Sequence, residues 1–294
     1  MKKKLEVQKI EYEDEKYPNT LRNIAYPPKQ LYVVGDVTLL KEKCISIIGS
    51  RVCTPKGAQI AEEFAKNLSK RKICIVSGMA KGIDTSAHIG ALKAGEKTIA
   101  VLGGGFNHIF PKENKNLFLE IIKNGGAVVS EYAENVATSS QGFIQRNRIV
   151  SGLSMGVLVV EAKKRSGTSI TADFARRQGK KVFCIAHGIE EKEGIGTHRL
   201  IKTGAKLVTC VDDILKDLKI NSEKNVNNKQ EKTIKIVNVP EEYEKVYKSI
   251  TKEPISIDEI CKKTKLEISE VNYKLTMLEL EGYIEKLPGN FFVK

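Results

Sequence analysis

From Lys43 onward the chain alternates short apolar runs with longer amphipathic ones. The strand-like runs are Cys44–Ile48, Ile73–Val76, Thr98–Leu102, Ala127–Val129, Val157–Val160, Lys181–Ile185 and Lys206–Val208. They are rich in isoleucine and valine and show no apolar–polar alternation, the pattern of parallel strands covered on both faces. Between them the apolar positions fall at helical spacing. Ile60, Phe64 and Leu68 lie four apart with Ala61 and Ala65 beside them, and Thr54-Pro55 supplies an N-cap and a first-turn proline. Asp84 is placed to cap a second helix running toward Gly95, and "PKENKNLFLEIIKNGG" starts at proline and stops at glycine. Thr168–Gln178 and Val211–Leu218 supply two more helices. The alternation predicts an α/β fold with a Rossmann-like, doubly wound, mostly parallel sheet.

The pattern also sets the domains. Residues 1–40 carry Pro18, Pro27 and Pro28 and are expected to form an extended or turn-rich arm packed on the main domain. Residues 41–218 hold the Rossmann-like domain. The stretch 219–239, beginning "KINSEKNVNNKQEKTIKIVN", is polar and aperiodic, as a flexible linker is. In residues 240–294, "EEYEKVYKSI", "SIDEICKKTK" and "EISEVNYKLTMLELEG" read as three helices, the last with Val271, Leu275, Leu278 and Leu280 apolar and Gly282 as its stop. "YIEKLPGNFFVK" reads as a hairpin. Three helices and a terminal hairpin predict a small C-terminal winged-helix domain. No apolar run approaches the about 18 to 20 residues of a membrane helix, and the N-terminal "MKKKLEVQKIEYEDEKYP" has no apolar segment of a signal peptide. A cytoplasmic protein without membrane association is expected.

Charge narrows the class of partner. The net charge is +13, yet residues 240–294 hold 9 Lys against 11 Asp and Glu, a local −2, so the rest carries +15. A basic main domain suits a polyanion. A winged helix that grips duplex phosphates should be basic, so this one is expected to serve dimer or protein contacts. The six cysteines include no C-x-x-C pair and read as free thiols of a reducing compartment; the four histidines show no ligand spacing, so no metal site is expected.

In an open parallel sheet, ligands bind beyond the carboxyl ends of the strands. Those ends read "GSR", "SGMAKGID", "GGGFNHIFP", "SEY" and "EAKKRSGTSIT". Glycines let an anion approach the backbone, helix-start N–H groups point at it, Ser50, Ser77, Ser166 and Thr168 offer hydroxyls, and Arg51, Lys81 and Arg165 offer charge. The dinucleotide fingerprint is not met, because His108 stands where the third glycine after Gly103 and Gly105 belongs, and no Walker A sequence occurs. The loop from Glu131 to Ser151 places Phe143 close to Arg146 and Arg148, the chemistry of a single-strand platform in which the ring stacks a base and guanidiniums take phosphates; a core phenylalanine with carboxylate-paired arginines is the alternative. Glu161 ends an apolar strand and could act as an acid or base, and His88 lies four residues after Asp84, but no catalytic set can be assigned.

The ordered motifs "IIGSRVCTPKG", "VSGMAKGIDTSAH", "TIAVLGGGFNHIFPKEN", "VVSEY", "QRNRIVSGLS", "VLVVEAKKRSGTSITA" and "GTHRLIKTGAKLVT" resemble the bacterial DNA-processing protein A family (DprA, also called Smf) from about Tyr17 through Ile214. The tail is similar to the winged helix found on many members. The resemblance implies a homodimer that binds single-stranded DNA, protects incoming DNA and helps load the RecA recombinase during natural transformation, with no catalytic residues and no cofactor. It places DNA contacts on Gly49, Ser50 and Arg51, on Ser77, Gly78, Lys81 and Gly82, and on Phe143, Arg146, Asn147 and Arg148, with Arg165, Ser166 and Gly167 completing the pocket. Lys81 departs from the arginine usual in the family, and the chain has no room for the N-terminal helical domain many members carry. The competing reading is a phosphoribohydrolase-like enzyme that splits nucleoside monophosphates in the same pocket; its P-G-G-x-G-T-like loop and following glutamate are replaced here by "RSGTSITADF". A third reading is an adaptor whose tail recruits a partner.

Overall fold

A computed structural model of the chain describes residues 6–163, 166–220, 239–251, 253–281, 283–287 and 289–293. The chain divides into two compact units, Met1–Ser222 and Glu223–Lys294. Apart from Lys219, Ile220 and Val239, the expected linker lies outside the described residues, as do Gly282 and Pro288 of the predicted helix stop and hairpin turn.

In chain order the first unit comprises β1 (Val7–Glu11), α1 (Asn19–Arg22), β2 (Gln30–Gly35), β3 (Cys44–Ile48), α2 (Pro55–Ser69), β4 (Cys74–Ser77), α3 (Ile83–Lys93), β5 (Thr98–Leu102) and α4 (Lys115–Lys123). It continues with β6 (Ala127–Ser130), α5 (Ser140–Gly152), β7 (Gly156–Val159), α6 (Gly167–Arg177), β8 (Lys181–Ile185), α7 (Ile195–Lys202), β9 (Lys206–Val208) and α8 (Val211–Asp217). The strands form one sheet in the order β1-β2-β6-β5-β4-β3-β7-β8-β9. From β6 to β9 every pairing is parallel. Every residue of β3 to β7 is buried, which is why those runs show no alternation. Successive residues of β3 feed two cores. Ile45 and Ile47 pack with Phe64 and Leu68 of α2, while Cys44 and Ile48 face the core that holds Ile149 and Val150 of α5.

The described residues of the segment 1–40 hold two strands. β2 pairs antiparallel with β6, and β1 antiparallel with β2, so the sheet is mixed at this edge. β1 buries only Ile10, which leaves no period to read, and prolines precede β2. Between these strands Tyr17, Leu21 and Ile24 are buried, and the Tyr17 hydroxyl donates to the Pro28 carbonyl at 2.8 Å.

The second unit holds α9 (Glu241–Ser249), β10 (Ile255–Ser256), α10 (Ile257–Thr264), α11 (Ile268–Leu280), β11 (Glu285–Leu287) and β12 (Phe291–Val293), with the strands ordered β10-β12-β11. Val246, Ile260, Val271, Leu275, Leu278 and Phe292 form its core. Ser256 and Glu259 close a capping box at the start of α10. This is winged-helix architecture. Among the described residues, no helix is long and apolar enough to cross a membrane.

Candidate functional site

The chain order reverses between β3 and β7: β4, β5 and β6 lie on one side of β3, and β7, β8 and β9 on the other. Helices leaving the two strands cover opposite faces, so a crevice opens beyond their carboxyl ends. A cleft of about 350 Å³ occupies that place, and Gly49, Ser50, Arg51, Gly78, Arg146, Asn147, Ser166 and Gly167 are among its lining residues. The sequence-predicted residues that line it come from four separate stretches of chain.

Glycines bring those stretches together. A Cβ on Gly49 would fall 2.6 Å from Ile83, and one on Gly82, whose φ is +75°, would fall 2.3 Å from the Ser50 carbonyl oxygen. The Ile83 N–H donates to that same carbonyl at 3.2 Å. The loops after β3 and β4 are thereby pressed into one rim. The serines on it are committed locally. Ser50 Oγ donates to the Val52 carbonyl at 2.6 Å, and Ser77 Oγ, fully buried, donates to the Ile47 carbonyl at 2.7 Å. The free-hydroxyl role expected of Ser77 is therefore not what the structure gives it.

The segment read as a loop from Glu131 to Ser151 is a helix over most of its length. Ser139 Oγ accepts from the Gly142 N–H at 3.0 Å and starts α5. The helix was hidden by its Ser, Gln, Gly and Asn content, which favours turns. α5 sends its polar residues in different directions. The Arg146 guanidinium is buried; its Nη1 donates to the Val101 carbonyl at 2.6 Å and to the Gly78 carbonyl. Asp84, also buried, accepts from the Gly78 N–H at 3.1 Å and the Ala80 N–H at 3.3 Å. It braces the loop after β4 rather than capping α3, whose N-cap is Gly82. The pair holds the Gly78 residue from both ends. Burial pushes the Asp84 carboxyl upward against the opposing pull of Arg146, and pushes Arg146 down to about 10 against the pull of Asp84.

Arg148 is also engaged. It donates to Glu131 Oε1 at 2.6 Å, to the Tyr26 carbonyl at 2.9 Å and to the Gln145 carbonyl at 3.0 Å. Neither α5 arginine therefore offers an unengaged guanidinium to the rim, as the sequence pattern had suggested. Arg51 does. Exposed at the end of β3, it lies 5.7 Å over the Phe143 ring, and the described residues place no carboxylate in ion-pair range of it. Phe143 is half-buried and also meets Phe110. Lys81 pairs with Glu113 at 2.6 Å in an exposed ion pair. At the far wall, among the described residues, Gly167 begins α6 with nothing within 4 Å of a Cβ placed there, and the Ser166 hydroxyl is buried without a partner. The first-turn N–H groups of α6 and this hydroxyl form a donor set suited to an anion. Arg165 lies outside the described residues. Lys163 and Thr171 also line the cleft. Thr171 was legible as the position one turn after Gly167; Lys163 had no signal beyond its place in a basic run.

The family model for DNA recombination-mediator protein A matches residues 8–219, and that for the DprA winged helix domain matches residues 235–290. The chain belongs to the DprA/Smf family. It is 44% identical to DNA processing protein DprA of Streptococcus pneumoniae over 202 residues, covering 69% of this chain and 71% of that protein. It is 35% identical to protein Smf of Escherichia coli over 286 residues, covering 96% of this chain and 76% of that protein. The solved structure of DprA from S. pneumoniae superposes with a TM-score of 0.68 at 41% identity, over 72% of this chain and 74% of that one. A structure of DprA from Helicobacter pylori, described for its single-stranded DNA binding mode, gives 0.66 at 30% identity, over 73% and 96%.

Two residues weighed for catalysis in this DprA-family chain have other partners. Glu161 is 1% exposed and accepts from the Thr54 hydroxyl at 2.5 Å and the Thr54 N–H at 3.2 Å, which ties β7 to the start of α2. A Cβ on Gly57 would fall 2.0 Å from its Oε1, so the carboxylate sits tight against the first helical turn. His88 is fully buried, and its Nδ1 lies 2.8 Å from Thr98 Oγ1. Because that hydroxyl donates to the Ile75 carbonyl at 2.7 Å, Nδ1 carries the proton, and among the described residues Nε2 has no partner. Burial foremost, then Arg146, pushes the imidazole down to about 3 from 6.5. The unfolded ring takes up a proton below about 6.5 and the folded ring only near 3, so its contribution to stability is whole above 6.5 and lost as pH falls through that window. The unfolding free energy in urea should therefore fall between pH 6.5 and 4 more steeply in the wild type than in His88→Leu, by up to one proton's worth of slope. Equal slopes would contradict a neutral buried ring. Among the described residues no group of His, Cys, Asp and Glu could hold a metal ion.

Proposed function

We propose that this chain binds single-stranded DNA without catalysing a reaction on it, with the strand lying along the carboxyl rim of the sheet. The observation that carries this is the meeting, at the switch point, of the open α6 N-terminus with an unpaired Arg51 over the Phe143 ring. Backbone N–H groups and one guanidinium take phosphates, and an aromatic face takes a base whatever its identity. The DNA-processing names of the S. pneumoniae and Bacillus subtilis relatives, and the single-stranded DNA binding of the H. pylori protein, support the assignment. Gly49, Gly78 and Gly82 shape the rim, Lys81 and Asn147 add polar contacts, and Arg146 acts through the loop it holds.

On this reading, which membership of the DprA/Smf family supports, the bound strand is incoming DNA in natural transformation, protected and passed to RecA by a cytoplasmic homodimer. The tail's net charge of −2 over residues 240–294 favours protein contacts for the winged helix. The phosphoribohydrolase-like alternative loses support. The carboxylate it would need, Glu161, is engaged by Thr54.

A competition titration tests the assignment. With a labelled dT20 bound to the full chain, unlabelled dT20 should displace it at concentrations at least tenfold below those of duplex of equal length. Deoxynucleoside monophosphates should not compete at micromolar concentration and should release no free base. Displacement by mononucleotides, or absence of dT20 binding in dilute buffer, would overturn it.

A further inference from the structure

We propose that Phe110 is a second stacking position, which takes the unpaired base next to the one on Phe143. The inference rests on the single-strand reading and adds a direction and a length to it. Phe110 is 52% exposed, whereas the other aromatic ring of the same loop, Phe106, is 4% exposed and belongs to the core. Phe110 thus presents apolar surface to water directly beside the Phe143 ring. Its ring centroid lies 5.4 Å from that of Phe143, with the planes inclined at 48°. The rings are in tilted contact, so the exposed part of Phe110 extends the aromatic surface that Phe143 begins. A phenyl face stacks any base, so sequence preference does not enter.

The placement along the sheet agrees. The open start of α6 follows β7, Arg51 ends β3, Gly78 follows β4, and Phe110 lies in the connection after β5. These strands are consecutive in the sheet, in the order β5-β4-β3-β7. At about 4.8 Å per strand the rim from β7 to β5 spans about 14 Å, room for a few nucleotides. Phosphate donors stand at the β7 end and aromatic rings at the β5 end, with Arg51 between them over Phe143. The loop that carries Phe110 is seated against α5: a Cβ on Gly103 would fall 2.7 Å from the Phe143 ring, and one on Gly104 would fall 2.7 Å from Thr138.

The chain contains no tryptophan, so a single substitution installs a unique fluorophore. In Phe110→Trp and, separately, Phe143→Trp full-length protein, saturating dT20 should quench the emission of both. Phe110→Ala should bind dT20 about tenfold more weakly, in line with the loss of one stacked base, with an unchanged thermal midpoint. Quenching of Phe143→Trp alone, together with wild-type affinity in Phe110→Ala, would overturn the second position and leave the single-strand function standing. Failure of the wild-type chain to bind dT20 would overturn both.

Discussion

Arg146→Ala should lose about 3 to 5 kcal/mol of unfolding free energy in urea, the cost of removing a buried guanidinium that serves two carbonyls and offsets the buried Asp84 carboxyl. The guanidinium is 5% exposed and donates to the carbonyls that end β4 and β5, while Asp84 holds the N–H groups of Gly78 and Ala80. With a value near 10 the arginine stays charged at neutral pH. Truncation leaves the Asp84 carboxyl buried with no opposing charge, and two carbonyls without their donor. Burial already raises that carboxyl, so the variant should relieve itself partly by protonation. Two consequences follow. The deficit should be smaller at pH 5 than at pH 8. The double variant Arg146→Met with Asp84→Asn should recover a large part of it, since removing both charges removes the mismatch. A deficit under about 1 kcal/mol, or no recovery in the double variant, would show that the pair does not carry the loop. DNA affinity should fall with stability in the single variant, because the Gly78 loop forms one side of the cleft.

This residue also marks where the sequence stops being informative. The central strands β3 to β7 were legible because each is buried on both faces, so apolar content alone outlined them. The α2 start was legible because Thr54 and Pro55 act on their own helix, with Thr54 Oγ accepting from the Gly57 N–H at 2.9 Å. The rim could be located from glycines at strand ends, whose reason is close backbone approach. What remained hidden was partnership across the chain. Nothing near Arg146 in sequence shows that its guanidinium reaches Gly78, 68 residues away, or that Arg148 reaches Tyr26, 122 residues away. Glu161 at a strand end looks like an acid or base until Thr54, 107 residues earlier, is seen to hold it. Phe110 was unremarkable for the same reason: its exposure and its neighbour are properties of the folded rim.

Arg51→Ala should weaken dT20 binding at every sequence by roughly 10- to 150-fold, the equivalent of about 1.5 to 3 kcal/mol for one charged hydrogen bond lost. It should also lower the slope of log affinity against log salt by about 0.7, the value for one phosphate on a single strand. Arg148→Ala separates a charge that meets DNA from one that holds the fold. Its guanidinium joins α5 to Glu131 and to the Tyr26 carbonyl of the N-terminal segment, with its side chain only 12% exposed. Its loss should lower the urea midpoint, by about 1 to 3 kcal/mol in free energy, while the salt slope stays at the wild-type value. Both variants remove one positive charge, so a general effect of net charge would move both slopes alike. Only a guanidinium that exchanges water for phosphate at the rim moves one of them, because counterions are released solely by charges that come to lie against the strand. The same comparison tests Phe143. Without Arg51 over it, the ring loses the cation that covers one of its faces. Phe143→Ala should then weaken binding less in the Arg51→Ala background than in the wild type. Additive losses would place the arginine and the ring at separate points on the strand, and slopes that fall equally in Arg51→Ala and Arg148→Ala would remove Arg51 from the interface.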